Sequence, residues 1–229
     1  MDTARVDWQR YAVAWAERHG GYDPRRAPPL VLRWQQLAYR VGATLTAIRV
    51  RPAAVTVMGL ALTGTAIYAA SRAGIWMIAA ALLVLAGVFA NTVDTAVGLQ
   101  NPRTTRLSII REAVAARLAE VAWLTAFWVV GVAGFVVVAC GVVTWLHEYL
   151  RTQALVAGAS RVSVQSIGDR PTRAGAAVVG LGLAGLAGPE LDAGILTVAS
   201  AAWLLLGVLG FSQLAGAVRR SRTLRRTLR

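Results

Sequence analysis

The sequence contains no lysine: its 24 basic residues are all arginines, set against 11 acidic residues, for a net charge of +13. A reaction that runs through a lysine nucleophile or Schiff base is therefore excluded, and the positive charge persists at any pH near neutrality. Cys140 is the single cysteine, so an intrachain disulfide is impossible and a thiolate zinc site is not expected. Long polar stretches are also scarce, because 56% of the residues are hydrophobic.

This apolar content predicts an all-α integral membrane protein, since the mean hydropathy of +0.54 is too high for an ordinary soluble domain. An N-terminal cytoplasmic amphipathic segment comes first, and residues 30–50 have the spacing of a helix that lies in the membrane interface. Six apolar runs follow, each near the roughly 20 residues that cross a bilayer. We therefore expect six transmembrane helices, at residues 53–70, 75–97, 108–130, 135–155, 173–187 and 191–218.

The arginines indicate the orientation of these helices. Nine arginines precede Pro52 and six lie in the C-terminal tail. Because arginines beside membrane helices stay on the cytoplasmic side, both termini are expected in the cytoplasm of a multi-pass plasma-membrane protein. Binding of nucleic acid is not expected, since it needs a basic face on a soluble module. The predicted organisation is a cytoplasmic segment with the interfacial helix at 1–51, a membrane domain at 52–218 and a basic cytoplasmic tail at 219–229.

Polar residues gather where the second predicted span ends and the third begins. Asn91 and Asp94 lie three positions apart, and Glu112 and Ala116 lie four apart, so each pair shares a helix face. If the two faces meet, they form a polar pocket that opens to the cytoplasm. Polar groups beside membrane helices are costly and usually functional.

This spacing resembles that of the CDP-alcohol phosphatidyltransferases, whose motif is Asp-x-x-Asp-Gly-x-x-Ala-Arg, eight or nine residues, then Gly-x-x-x-Asp-x-x-x-Asp. The four aspartate positions of the motif fall on Asn91, Asp94, Glu112 and Ala116, and its arginine falls on Leu99. In the family the aspartates bind two divalent metals, and the last one is thought to activate the acceptor hydroxyl. The resemblance implies a phosphotransferase fold with six membrane helices.

Further segments resemble the family along nearly the whole chain. Pro52-Ala-Ala-Val-Thr56 opens the first span as the family's Pro-Asn-x-x-Thr does, and Arg117-Leu-Ala-Glu120 resembles the arginine and acidic residue after the last aspartate. EYLRTQALVAG and GDRPTRAG are similar to the basic segments around the family's cytoplasmic loop. The arginines expected to bind phosphate or anionic lipid are Arg111, Arg117, Arg151, Arg170 and Arg173.

The departures from the motif weaken the implied chemistry, because three of the four aspartates are replaced. We expect at most one Mg²⁺ or Mn²⁺ ion, held by Asp94, Glu112 and Asn91, and no general base at Ala116. The replacement candidates for that base are Glu120, His147 and Glu148. Alternatively, nearby arginines neutralise Asp94 and Glu112 without any metal; the candidates are Arg103, Arg106, Arg111 and Arg117.

Three functions remain open at this point. The first is a phosphotransferase of phospholipid metabolism, or its direct descendant with weakened activity, which moves a phosphate-linked group from a CDP-activated donor to an acceptor alcohol. The second is a catalytically inactive pseudoenzyme that binds lipid or phosphate. The third is an unrelated small transporter or scaffold. The resemblance also implies partners: membrane lipid, the CDP-activated donor if the chain is active, and a second copy or an active relative in a dimer.

Overall fold

The structure is a computed structural model that describes residues 6–19, 21–101, 106–158 and 166–221. Within these residues the chain is helical and contains no strand. Arg103 and the tail beyond residue 221 lie outside the described residues, as does the side chain of Arg106. The α-helices are α1 (Trp8–Arg18), α2 (Pro29–Ala47), α3 (Pro52–Ala70), α4 (Trp76–Gln100), α5 (Arg106–Val130), α6 (Gly134–Val156), α7 (Arg170–Ala187) and α8 (Asp192–Arg220), with a short 3-10 helix at Pro24–Arg26.

Four of the described helices are long and apolar enough to cross a membrane: α3, α4, most of α5, and α8. The multi-pass membrane character predicted from the sequence is therefore supported. Helices α6 and α7 start and end close to the predicted fourth and fifth spans. They are not among these four helices, because their charged side chains lower their mean hydropathy. The predicted total of six spans, and the orientation of the termini, stay predictions.

Local chemistry explains where several helices begin and end. The Asp7 carboxylate caps α1 by accepting a hydrogen bond from the Arg10 amide at 2.8 Å. Proline opens α2 and α3, where its missing N–H is not needed. Gly188 follows the end of α7 with φ of 95°, a left-handed conformation that favours glycine.

The chain divides into two compact units. The first unit comprises the described residues of Met1–Leu62 and Ala86–Ala119. In it, α1 buries Tyr11 and Trp15 in a cluster with Ala96 of α4 and the partly buried Tyr39 of α2. A Cβ added to Gly42 would lie 2.8 Å from the Ala96 Cβ, so α2 packs directly on α4.

The second unit comprises the described residues of Thr63–Leu85 and Glu120–Arg229. Its core is aromatic: the buried Trp203 ring lies 6.3 Å from Trp123 and 6.4 Å from Phe127. Close helix contacts depend on glycine, as a Cβ at Gly180 would lie 2.8 Å from the Ala199 Cβ. The loops after α3 and α7 also meet here. The Gly74 amide donates to Asp192 at 3.1 Å.

Candidate functional site

The predicted polar residues of α4 and α5 meet within the first unit. They form what we call the arginine–carboxylate cluster, which consists of Arg18, Thr56, Asp94, Thr95, Arg111 and Glu112. The ends of α4 and α5 face each other as the sequence predicted, and α3 and α1 each add one member. The cluster therefore combines four helices at the position of the family motif.

The Asp94 side chain is only 2% exposed, and both of its oxygens accept hydrogen bonds. The Thr56 hydroxyl donates to Oδ2 at 2.5 Å. The Arg111 guanidinium donates from Nη2 to Oδ1 at 3.3 Å, and from Nε to the Thr56 oxygen at 2.9 Å. Burial penalises a carboxylate, and these donors offset that cost by satisfying its lone pairs.

Glu112 is satisfied in the same way by donors from two other helices. Arg18 of α1 donates to Oε2, and the Thr95 hydroxyl of α4 donates to Oε1. Both partners of the Arg18–Glu112 ion pair are 18% exposed. All four oxygens of the two carboxylates are therefore engaged by side chains of this chain.

This donor set does not fit a pair of divalent ions. Two such ions need several anionic oxygens to offset their repulsion, and here two carboxylates already carry one guanidinium each. Among the residues that the structure describes, no group of three or more histidine, cysteine, aspartate or glutamate side chains could hold a metal. A single ion at Asp94 and Glu112 would have to displace an arginine, so its presence stays a prediction.

The other positions of the motif lie around the cluster. The Asn91 side chain is half-buried, and the backbone carbonyl oxygen of Asn91 lies 3.3 Å from the Thr95 hydroxyl oxygen. Ala116 is buried one turn after Glu112, so no side chain there could take a proton from an acceptor hydroxyl. Leu99 packs with the aromatic cluster of α1. Arg117 is half-buried, and its predicted contact with phosphate stays a prediction.

A second polar group lies in the second unit, where we call Glu120, Glu148 and Arg173 the buried triad. The Arg173 side chain is 2% exposed and lies between the two glutamates. Its Nε donates to Glu120 at 3.0 Å and its Nη2 to Glu148 at 2.7 Å, while Nη1 donates to the Gly168 carbonyl at 2.7 Å. All three nitrogens are engaged, so this geometry is that of a structural contact between α5, α6 and α7.

Beside the buried triad, a chain of hydrogen bonds leads from α6 into the loop before α7. The His147 ring contacts the Ser166 hydroxyl through Nε2 at 2.7 Å, and Ser166 donates to the Asp169 carboxylate at 2.9 Å. Because the carboxylate only accepts and Ser166 has one hydroxyl hydrogen, His147 donates from Nε2. Arg151 completes the chain by donating to Asp169.

These contacts show where the predicted catalytic and phosphate-binding residues of the second unit lie. Arg151 and Arg173 are paired with carboxylates, and the Arg170 guanidinium lies 5.9 Å from the centroid of the Trp123 ring. Glu120 and Glu148 both hold the same guanidinium. Their proposed roles as base or phosphate ligand stay predictions.

Sequence reasoning missed several members of these groups. Arg18 was visible only as part of an amphipathic face, and its partner Glu112 lies 94 residues away in the chain. Thr56 was noted as a motif residue but not as a hydrogen-bond donor to Asp94. Ser166 and Asp169 sit in a loop without periodicity, where the only signal was a helix-capping residue type before Pro171.

No family model matches this sequence, and no curated protein sequence matches it either. Among solved structures, the chain is similar to the phosphatidylinositol phosphate synthase of Mycobacterium tuberculosis, whose crystal structure has CDP-DAG bound. The two chains share 17% identity with a TM-score of 0.61, and the match covers 82% of this chain and 96% of the synthase. At this level of identity the likeness establishes the fold. The chain thus has the helical membrane fold of a solved phosphatidylinositol phosphate synthase, in agreement with the resemblance noted in its sequence.

Proposed function

We propose that this chain is a membrane protein of the CDP-alcohol phosphatidyltransferase type that binds a CDP-activated or similar phosphate-bearing lipid with little or no turnover. In this proposal it descends from a transferase, and arginines have replaced the metals of the ancestral site. The observation that carries the proposal is the engagement of all four oxygens of Asp94 and Glu112 by Arg18, Thr56, Thr95 and Arg111. The likeness in fold to a synthase with CDP-DAG bound supports the lipid class.

The same proposal includes the arrangement in the membrane. Helices α6 and α7 complete six spans, and both termini face the cytoplasm of the plasma membrane. The arginine-rich ends of the chain support this orientation. The contact of the Gly74 amide with Asp192 supports the number of spans, because two connections that touch lie on one side of the membrane and an even number of spans must separate them. A partner in this setting is a second copy of the chain or an active relative.

A binding assay with a matched turnover assay tests the function. The wild-type chain is placed in nanodiscs with CDP-DAG or with diacylglycerol as the control lipid, and the midpoint of thermal unfolding is compared. CDP-DAG should raise the midpoint, because a ligand that binds only the folded state stabilises it. CMP release, measured with Mg²⁺ or Mn²⁺ and phosphorylated polyols as acceptors, should stay at the protein-free background. Equal midpoints in the two lipids would contradict lipid binding.

The second candidate is an active, divergent transferase, and the likeness to a solved synthase favours it. It predicts metal-dependent CMP release by the wild-type chain. The triple variant Asn91→Asp, Leu99→Arg, Ala116→Asp also separates the two candidates, because it restores motif residues that the chain lacks. If the scaffold is intact and only the motif is lost, this variant releases CMP while the wild type does not.

A further inference from the structure

The arginine–carboxylate cluster receives its two guanidinium groups from different kinds of element. Arg111 belongs to α5, directly before Glu112, and its Nε also holds the Thr56 hydroxyl. The Arg111 guanidinium cannot move away without losing its hydrogen bonds to Thr56 and Asp94, which join α5 to α3 and α4. Arg18 comes instead from α1, an 11-residue helix that precedes the predicted spans. Its guanidinium contacts Glu112 from the last turn of that helix.

The α1 helix holds Arg18 at this position through a separate set of contacts. Its buried face is formed by Tyr11, Ala12 and Trp15, which pack in the aromatic cluster with Ala96 of α4. Isolated helices of this length are marginal in water, so this packing keeps α1 folded and aimed at the cluster. Arg18 is not part of this buried face, so the packing that holds α1 on α4 does not itself depend on the contact between Arg18 and Glu112.

Withdrawal of Arg18 changes the charge of the cluster. With both arginines in place, two carboxylates and two guanidinium groups give no net charge. Without Arg18, the group carries one net negative charge, and Glu112 Oε2 loses its donor. The Glu112 side chain as a whole is 18% exposed, so the carboxylate is not sealed from solvent. Such a carboxylate attracts a hydrated divalent cation.

We propose that Arg18 of α1 acts as a built-in cation that closes the cluster to divalent metal. The inference rests on the proposed function, and it adds the reason why the site does not take up the ion expected of its fold. Arg18 is the removable guanidinium of the two, and Glu112 is the carboxylate that it covers. The site is closed in the wild-type chain by an element outside the helices that carry the motif.

Titration of Mn²⁺ into the full chain, in nanodiscs free of CDP-lipid, tests the proposal by electron paramagnetic resonance of the free ion. Arg18→Met removes the charge but keeps an apolar stem that preserves the packing of α1. The variant should bind Mn²⁺ at least about tenfold more tightly than the wild type, because a positive charge a few ångströms from the ion is gone. Arg10→Met is the matched control on the same helix, since the Arg10 side chain is 82% exposed. It should bind Mn²⁺ as the wild type does.

Three further variants make the result decisive. Arg18→Lys restores the charge and should return binding to the wild-type level, while Arg18→Met combined with Glu112→Gln should lose the gained site. Arg18→Gln serves as a second uncharged variant if the methionine variant does not fold. Unchanged Mn²⁺ affinity in a folded uncharged variant, compared with the wild type, would overturn the proposal. That result does not affect the CDP-DAG measurement, which tests the proposed function separately.

Discussion

The two polar groups of this protein use the same residue types in different ways. In the arginine–carboxylate cluster each carboxylate has its own guanidinium, and the arginines are partly exposed, with 34% for the Arg111 side chain. In the buried triad two glutamates share Arg173, whose side chain is 2% exposed. Water can replace an exposed arginine but cannot replace a buried one. The comparison therefore separates a group of helix contacts that water partly reaches from one that is enclosed by the protein.

The largest effect is expected from breaking the buried triad. Arg173→Met leaves Glu120, which is 1% exposed, as a buried charge without its guanidinium. The free energy of unfolding should fall by about 3–5 kcal/mol, the usual cost of removing one partner of a buried pair. Chemical unfolding in detergent measures it. Combining Arg173→Met with Glu120→Gln should recover part of the loss, and a loss below about 1 kcal/mol for the single variant would contradict a structural role.

A smaller effect is expected from the corresponding change in the arginine–carboxylate cluster. Arg111→Met removes one donor from Asp94, but the Thr56 hydroxyl still donates to the carboxylate. The free energy of unfolding should fall by about 2 kcal/mol, in the range for a lost hydrogen bond to a charged group. The same unfolding assay measures it, with Arg10→Met as the exposed control. A loss as large as that of Arg173→Met would remove the distinction between the two groups.

The smallest effect is expected at the edge of the second unit. The Arg151 side chain is 31% exposed, and its partner Asp169 also accepts hydrogen bonds from the amide and hydroxyl of Ser166. Arg151→Met should therefore lower the free energy of unfolding by about 0.5–1 kcal/mol. A loss of several kcal/mol here would mean that Arg151 supports the fold as strongly as Arg173 does, and that exposure is a poor guide in this unit.

Much of the helical framework could be predicted from the sequence. Apolar runs between Pro52, Gly131 and Gly188 predicted helix ends within a few residues of those observed, since the proline ring cannot continue a helix and glycine readily adopts the positive φ at which helices end. The meeting of Asp94 with Glu112 was also predictable, because consecutive helices joined by a short loop bring those ends together. Local pattern and chain connectivity were sufficient for these features.

The pairing of charges could not be predicted in the same way. Four arginines near the motif were candidates to neutralise the carboxylates; the structure pairs Arg111 with Asp94, and the side chains of Arg103 and Arg106 lie outside the described residues. The partner of Glu112 is instead Arg18, 94 residues earlier in the chain. Similarly, Arg173 reaches Glu120 across 53 residues. Such pairs depend on how helices pack, and in a chain with 24 arginines the residue type alone does not single out a partner.

The hydrogen bond from the Gly74 amide to Asp192 has a consequence for biosynthesis. Donor and acceptor are separated by 118 residues, so the loop after α3 leaves the ribosome long before its acceptor has been made. The contact therefore forms only after the start of α8 has been made. Closure of this end of the second unit is thus a late event, which depends on the synthesis of α8.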